Sequence, residues 1–188
     1  MGQAWLLTGR PGVGKTTCLR RTFERLDRLG RPAGGFFTEE LRERGMRVGF
    51  ALMTLDGQRA TFAHVRRAGP PRVGKYGVDL DALDRVGVPA VRAAIEAGGL
   101  VVIDEIGKME LASAAFRQAV EAALASGAPV LGTILVAPDP WADRIKAHPR
   151  VTLIEVTRAN RDRLPAALLD GVGAARRLDQ GPAAPARA

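Results

Sequence analysis

"TGRPGVGKTTCLRR", residues 8–21, is the stretch on which the fold turns. Gly9-Arg10-Pro11-Gly12-Val13-Gly14-Lys15-Thr16 fits G-x-x-x-x-G-K-[ST] at every fixed position. The glycines let the backbone fold so tightly that successive N–H groups point at phosphate oxygens. A helix starting near Gly14 adds the positive end of its dipole. Lys15 brings a charge to the β- and γ-phosphates, and the Thr16 hydroxyl is placed to ligate Mg²⁺. Thr17 closes the phosphate-contacting segment. The flanks agree with this reading. "QAWLL", residues 3–7, reads as a buried strand. Residues 14–29 read as a helix, with Leu19, Phe23, Leu26 and Leu29 at helical spacing and Gly30 as the stop. Hydrolases, kinases and switches all hold phosphate, so other residues must separate them.

"LVVIDEIG", residues 100–107, supplies the acids such a loop needs. Leu100, Val101, Val102 and Ile103 form an apolar strand, and Ile106 and Gly107 follow the two acids. At the carboxyl end of a parallel strand, Asp104 emerges where ligands bind in open α/β folds. We read it as the metal anchor, acting through water. Glu105 stands where a hydrolase places the base that polarises an attacking water. A kinase must instead exclude water and hold an acceptor. Beyond lie Lys108 and Glu110: Lys108 either reaches the transferred phosphate or pairs with a nearby glutamate. Thr133 ends a strand expected beside the phosphate-loop strand, where it either senses the γ-phosphate or is a plain strand-end hydroxyl.

The remaining chain alternates apolar strands with helices, which predicts a three-layer α/β fold with a parallel sheet covered on both faces. "AGGFFTEELRE" and "RVGFALMTL" flank an "RG" tip, and a "DG" turn leads to "QRATFAHV". This predicts an antiparallel hairpin insertion over about residues 34–65. Residues 66–78 read as a Gly/Pro/basic loop, in which Lys75 and Tyr76 are either a flap over the nucleotide or a mere connection. Helices are predicted at 79–97, 112–125 and 160–177, and strands at "APVLGTILV" and "VTLIEV", with a Pro-broken "APDPW" between those strands. The reading is one domain over 1–178 and a disordered tail, "DQGPAAPARA", over 179–188.

The net charge of +8 comes from 28 basic and 20 acidic residues among 188. It keeps nucleic acid open as a partner. Against that, only four of the bases are Lys, no block of five bases occurs, and no aromatic residues interleave with them. This pattern reads as an Arg-rich composition. No apolar run approaches the roughly 20 residues that span a bilayer, and the N-terminus runs straight into a strand. A cytoplasmic protein without a membrane partner, and a monomer, is expected. Cys18, the single cysteine, reads as a packing residue.

"LTGRPGVGKTT", "GGFFTEE", "VGKYGVDL", "VVIDEIGKMEL", "GTI" and "VTRANRD" together resemble the THEP1 family of nucleoside-triphosphatases, in order, over about residues 2–173. The resemblance implies a RecA-like P-loop domain with an antiparallel insertion. It also implies Mg²⁺-dependent hydrolysis of ATP and other nucleoside triphosphates to diphosphate and phosphate, with loose base specificity. Its nucleotide-binding segments fall on Gly9 to Thr16 and Leu100 to Gly107. "ILVAPDPWADRI" departs from the family pattern. No N-K-x-D motif is present to read guanine. Asn160 and Arg161, after the last strand, stand where a base often lies: Arg161 to stack, Asn160 to bond weakly or to cap a helix. Glu39 and Glu40 alternate across their strand, so only one can face the site. A nucleotide, nucleoside or polynucleotide kinase and an RNA-associated switch remain the alternatives. Arg10, Arg144, Arg158 and Arg161 are the candidates for an arginine finger.

Overall fold

Two-residue alternation along the central strands divides the core into two halves. In the first strand Ala4 and Leu6 enter one apolar cluster, while Trp5 and Leu7 enter the other. In "LVVIDEI" Val101 and Ile103 take the first, and Leu100 and Val102 the second. Strands apolar at every position need cover on both faces. The computed structural model, which describes residues 3–170, supplies that cover. Its elements run β1 (Ala4–Thr8), α1 (Lys15–Asp27), β2 (Ala33–Glu43), β3 (Met46–Thr54), β4 (Arg59–His64), β5 (Arg72–Val73), β6 (Tyr76–Val78), α2 (Leu80–Ala82), α3 (Val88–Glu96), β7 (Leu100–Ile106), α4 (Ala114–Ala125), β8 (Val130–Ile134), α5 (Pro140–Lys146) and β9 (Val151–Glu155). A π-helical segment, Leu83–Gly87, joins α2 to α3, and a 3₁₀ turn, Glu110–Ala112, precedes α4. Residues 164–170 are helical.

These strands form one sheet in the order β5-β6-β4-β3-β2-β7-β8-β1-β9. The block from β2 to β9 is parallel, and the block from β2 to β5 is antiparallel. β8 separates the phosphate-loop strand from the acidic strand, the arrangement that a RecA-like domain requires. On one face α1 buries Cys18, Leu19 and Leu26 against Trp5, Leu7 and Leu168. On the other, α3, α4 and α5 bury Val91, Phe116 and Ile145 around Leu6, Phe36 and Ile103. Burial pushes the Cys18 thiol up to about 11, as suits a packing residue. No helix among the described residues is long and apolar enough to cross a membrane.

Three sequence expectations change. First, β2 is not only part of the insertion. Ala33–Phe36 pair in parallel with Leu100–Ile103, and the same strand then runs on as the first arm of the hairpin with β3. Gly35 makes this possible: with φ at +112°, an added Cβ would stand 1.9 Å from the Val102 carbonyl oxygen. Second, residues 66–78 are not a bare loop. β5 and β6 form a small hairpin that extends the sheet, with Tyr76 and Val78 buried in the core. Third, residues 158–163 are turns, and regular helix begins only at 164. The end of the predicted 160–177 helix and the 179–188 tail lie outside the described residues.

Candidate active site

The phosphate loop joins β1 to α1. Gly9 has φ at +142°, and a Cβ there would stand 2.7 Å from the Val156 carbonyl oxygen, so no side chain fits. Val13 N–H donates to the Arg10 carbonyl (3.2 Å), and Lys15 Nζ donates to the Gly9 carbonyl (3.1 Å), which lays the ammonium across the loop. The first turn of α1 holds no acid, so its positive end is open to an anion. Arg10, Pro11, Gly12 and Thr17 are exposed; Val13, Gly14, Lys15 and Thr16 are half-buried.

Asp104 is fully buried at the carboxyl end of β7. Its Oδ1 accepts hydrogen bonds from Thr133 Oγ1 (2.7 Å) and Thr16 Oγ1 (3.2 Å). Its Oδ2 is buried and has no hydrogen-bond partner. The β7–β8 ladder shifts register between Ile103 and Ile106, so Asp104 and Glu105 step out of the regular pairing. Burial drives the Asp104 pKa upward; the two hydroxyls, then Arg20 and Lys15, oppose it. A buried orphan carboxylate oxygen beside a threonine hydroxyl matches a hard, oxygen-seeking cation. Mg²⁺ fits this donor set, with Asp104 and Thr16 to hold it. Among the described residues no group of three or more His, Cys, Asp or Glu gathers around a common point. Mg²⁺ needs none, because it keeps waters and takes one or two carboxylates plus substrate phosphates.

Glu105 is half-buried next to Asp104. Burial raises its pKa, Lys15 opposes the rise, and Asp104 adds to it. A carboxylate so raised is a stronger base. Thr133 proves to be a strut for Asp104. Lys108 is exposed, whereas Glu110, expected only as one of two pairing partners for Lys108, is buried. Arg20 was missed altogether. It lies one helical turn past Thr16, stacks 4.5 Å over the Phe37 ring, pairs with Glu39 (3.3 Å) and acts on Asp104. Its i,i+4 spacing from Thr16 is the signal that would have found it. Glu39 is therefore the acid of "FFTEE" that turns toward the site. Glu40 pairs with Arg42 and Arg47 on the hairpin.

Beside the loop is a cleft of about 180 Å³ lined by Gly14, Thr17, Cys18, Arg21, Arg161 and Asp162. Arg161 leans on the loop itself, donating to the Val13 carbonyl (3.4 Å). Asn160 does not face the cleft with a free amide. Its Oδ1 accepts from Thr157 N–H and its Nδ2 donates to the Glu155 carbonyl, both at 2.8 Å, so it fastens the turn after β9. Lys75 and Tyr76 form no flap: Tyr76 accepts from Arg47 Nε (3.0 Å), three strands beyond β2. Trp141 Nε1 donates to Glu121 on α4 (2.8 Å), which fixes the Pro-interrupted segment to that helix. A larger cleft, about 250 Å³, opens beside Pro32, Ala94 and Gly99; apart from Asp56 its lining is apolar and mostly small.

A family model described as NTPase matches residues 4–169. The chain is 45% identical over 159 residues to the nucleoside-triphosphatase THEP1 of Thermotoga petrophila, covering 85% of this chain and 87% of that protein. It is 41% identical over 177 residues to the human cancer-related nucleoside-triphosphatase, covering 87% and 93%. The solution structure of a human cancer-related nucleoside triphosphatase superposes with a TM-score of 0.80 at 38% identity, over 93% of this chain and 98% of that one. The crystal structure of THEP1 from Aquifex aeolicus gives 0.78 at 34% identity, over 89% and 97%. A family model over most of the chain and relatives more than 40% identical agree, and the chain belongs to the THEP1 family of nucleoside-triphosphatases.

Proposed function

We propose that the protein hydrolyses ATP, GTP, CTP and UTP to the diphosphate and phosphate in a Mg²⁺-dependent reaction with loose base preference. The observation that carries this reading is the convergence of the orphan Asp104 Oδ2, the Thr16 hydroxyl, Lys15 and the raised-pKa Glu105 at one end of β1 and β7. The loop amides and Lys15 hold the β- and γ-phosphates. Glu105 accepts a proton from the attacking water and orients it in line with the leaving oxygen. Mg²⁺, held by Thr16 and Asp104, would neutralise charge on the phosphates. Arg161 beside Gly14 offers a planar cation to the face of any base, in keeping with loose preference.

Phosphate release from each of the four nucleotides, with Mg²⁺ and with a chelator, tests the reading. All four are expected to be hydrolysed, and the chelator to stop the reaction. Release no greater than that of Lys15→Ala would reject it. Arg161→Ala is expected to raise KM about 2–5-fold, alike for all four bases, since an exposed cation–π contact contributes about 0.5–1 kcal/mol. A rise confined to one base would show selective reading instead.

A further inference from the structure

Glu105 and Glu110 pack against the same glycine. A Cβ on Gly107 would stand 2.7 Å from Glu105 Oε1 and 2.9 Å from Glu110 Oε2, so both carboxyls flank this glycine and any side chain there would crowd them. Glu110 opens the 3₁₀ turn after β7 and is 4% exposed. Leu111 N–H donates to the Gly107 carbonyl (2.9 Å) and Ser113 N–H to the Glu110 carbonyl (3.0 Å), which pins the turn against the strand end. The charged side chains acting on Glu110 are Glu105 and Asp104, both acids, while the backbone N–H groups of Glu110 and Gly107 face it from the turn. Lys15 also acts on Glu105, and its charge favours an ionised Glu105. Two carboxylates side by side in a dry site cannot both ionise cheaply. The more buried one, without a cation, keeps its proton.

We infer that Glu110 is a positioning residue for Glu105: its uncharged carboxyl backs the Glu105 carboxylate across Gly107 and fixes the direction in which that base faces the phosphate loop. A protonated carboxyl has one O–H donor, and a carboxylate is an acceptor only. Glu110 thus restrains one oxygen of Glu105 and leaves the other for water. Burial holds Glu110 protonated up to about 8.

The inference rests on Glu105 being the base, and the kcat–pH profile at saturating Mg²⁺ and ATP separates the two claims. Wild type is expected to lose activity as pH rises through about 8, where Glu110 ionises. Glu110→Gln keeps the shape and an N–H donor; it should hold kcat within about threefold at neutral pH and lack that alkaline fall. Glu110→Ala should lower kcat about 10–100-fold with KM unchanged, the cost of a misaligned base. An unaltered alkaline fall in Glu110→Gln overturns the inference, as does wild-type kcat in Glu110→Ala. So does a Glu110→Gln enzyme as inactive as Glu105→Gln, since that would require an ionised Glu110. Should Glu110→Ala fail to fold by circular dichroism, the Glu110→Gln profile decides alone. If Glu105→Gln itself keeps full activity, the base assignment fails instead.

Discussion

Glu105→Gln is expected to lower kcat by about 10²–10⁴-fold, the usual contribution of a positioned base, while nucleotide binding stays intact. The amide has the size of the carboxylate and cannot accept the water's proton. The groups that hold phosphate, Lys15 and the loop amides, are untouched. Titration with a fluorescent nucleotide analogue should therefore give a wild-type Kd, and single-turnover phosphate release should show the loss. The pH profile carries a second signature. Burial, with Asp104 beside it, moves the Glu105 pKa above the ordinary glutamate range. A base works only when ionised, so the acid limb of wild-type kcat should lie above that range, with activity rising as pH passes through it. An acid limb at the ordinary glutamate value would mean that another group takes the proton. A Glu105→Gln enzyme retaining wild-type kcat would leave water activation to the phosphate itself.

The phosphate loop and the acidic strand were legible in the sequence because their physics is local. A tight glycine turn, a helix start and an apolar run ending in acids each occupy a few consecutive residues. The hairpin was legible for the same reason: Arg44 and Gly45 both adopt positive φ at the tip, as a two-residue turn demands. What stayed hidden depends on residues far apart in the chain. That β2 belongs to the core follows from Gly35 accommodating the Val102 carbonyl, and nothing near residue 35 announces that partner. The role of Glu110 was hidden because an acid two residues past an exposed Lys looks like surface. Only the 3₁₀ turn folds it back under Gly107. Asn160 was misleading in the opposite sense. An asparagine after the last strand suits base recognition and turn-making equally, and only the hydrogen bonds to Thr157 and Glu155 decide.

Asp104→Asn should separate stability from catalysis. In the protein without Mg²⁺ or nucleotide, Asp104 is a fully buried carboxylate whose hydrogen bonds reach only Oδ1. Desolvation outweighs those bonds, and its cost falls on the ionised form. Asparagine keeps an oxygen for Thr16 and Thr133 and removes the charge. The variant should melt higher than wild type in chelator at neutral pH, each 1 kcal/mol amounting to about 2–4 °C at this chain length. The difference should close on acidification, because protonation removes the same charge from wild type. Hydrolysis should nevertheless fall about 100-fold or more, since the metal's electrostatic contribution is several kcal/mol. Adding Mg²⁺ with a non-hydrolysable nucleotide should reverse the order. Wild type gains about 2.7 kcal/mol at 100 times Kd, whereas the variant, lacking the anionic ligand, gains less. Differential scanning fluorimetry in the two buffers reads the crossing directly. If the variant melts lower than wild type in both, Asp104 is a structural strut between β7 and α1, and the metal must be anchored elsewhere.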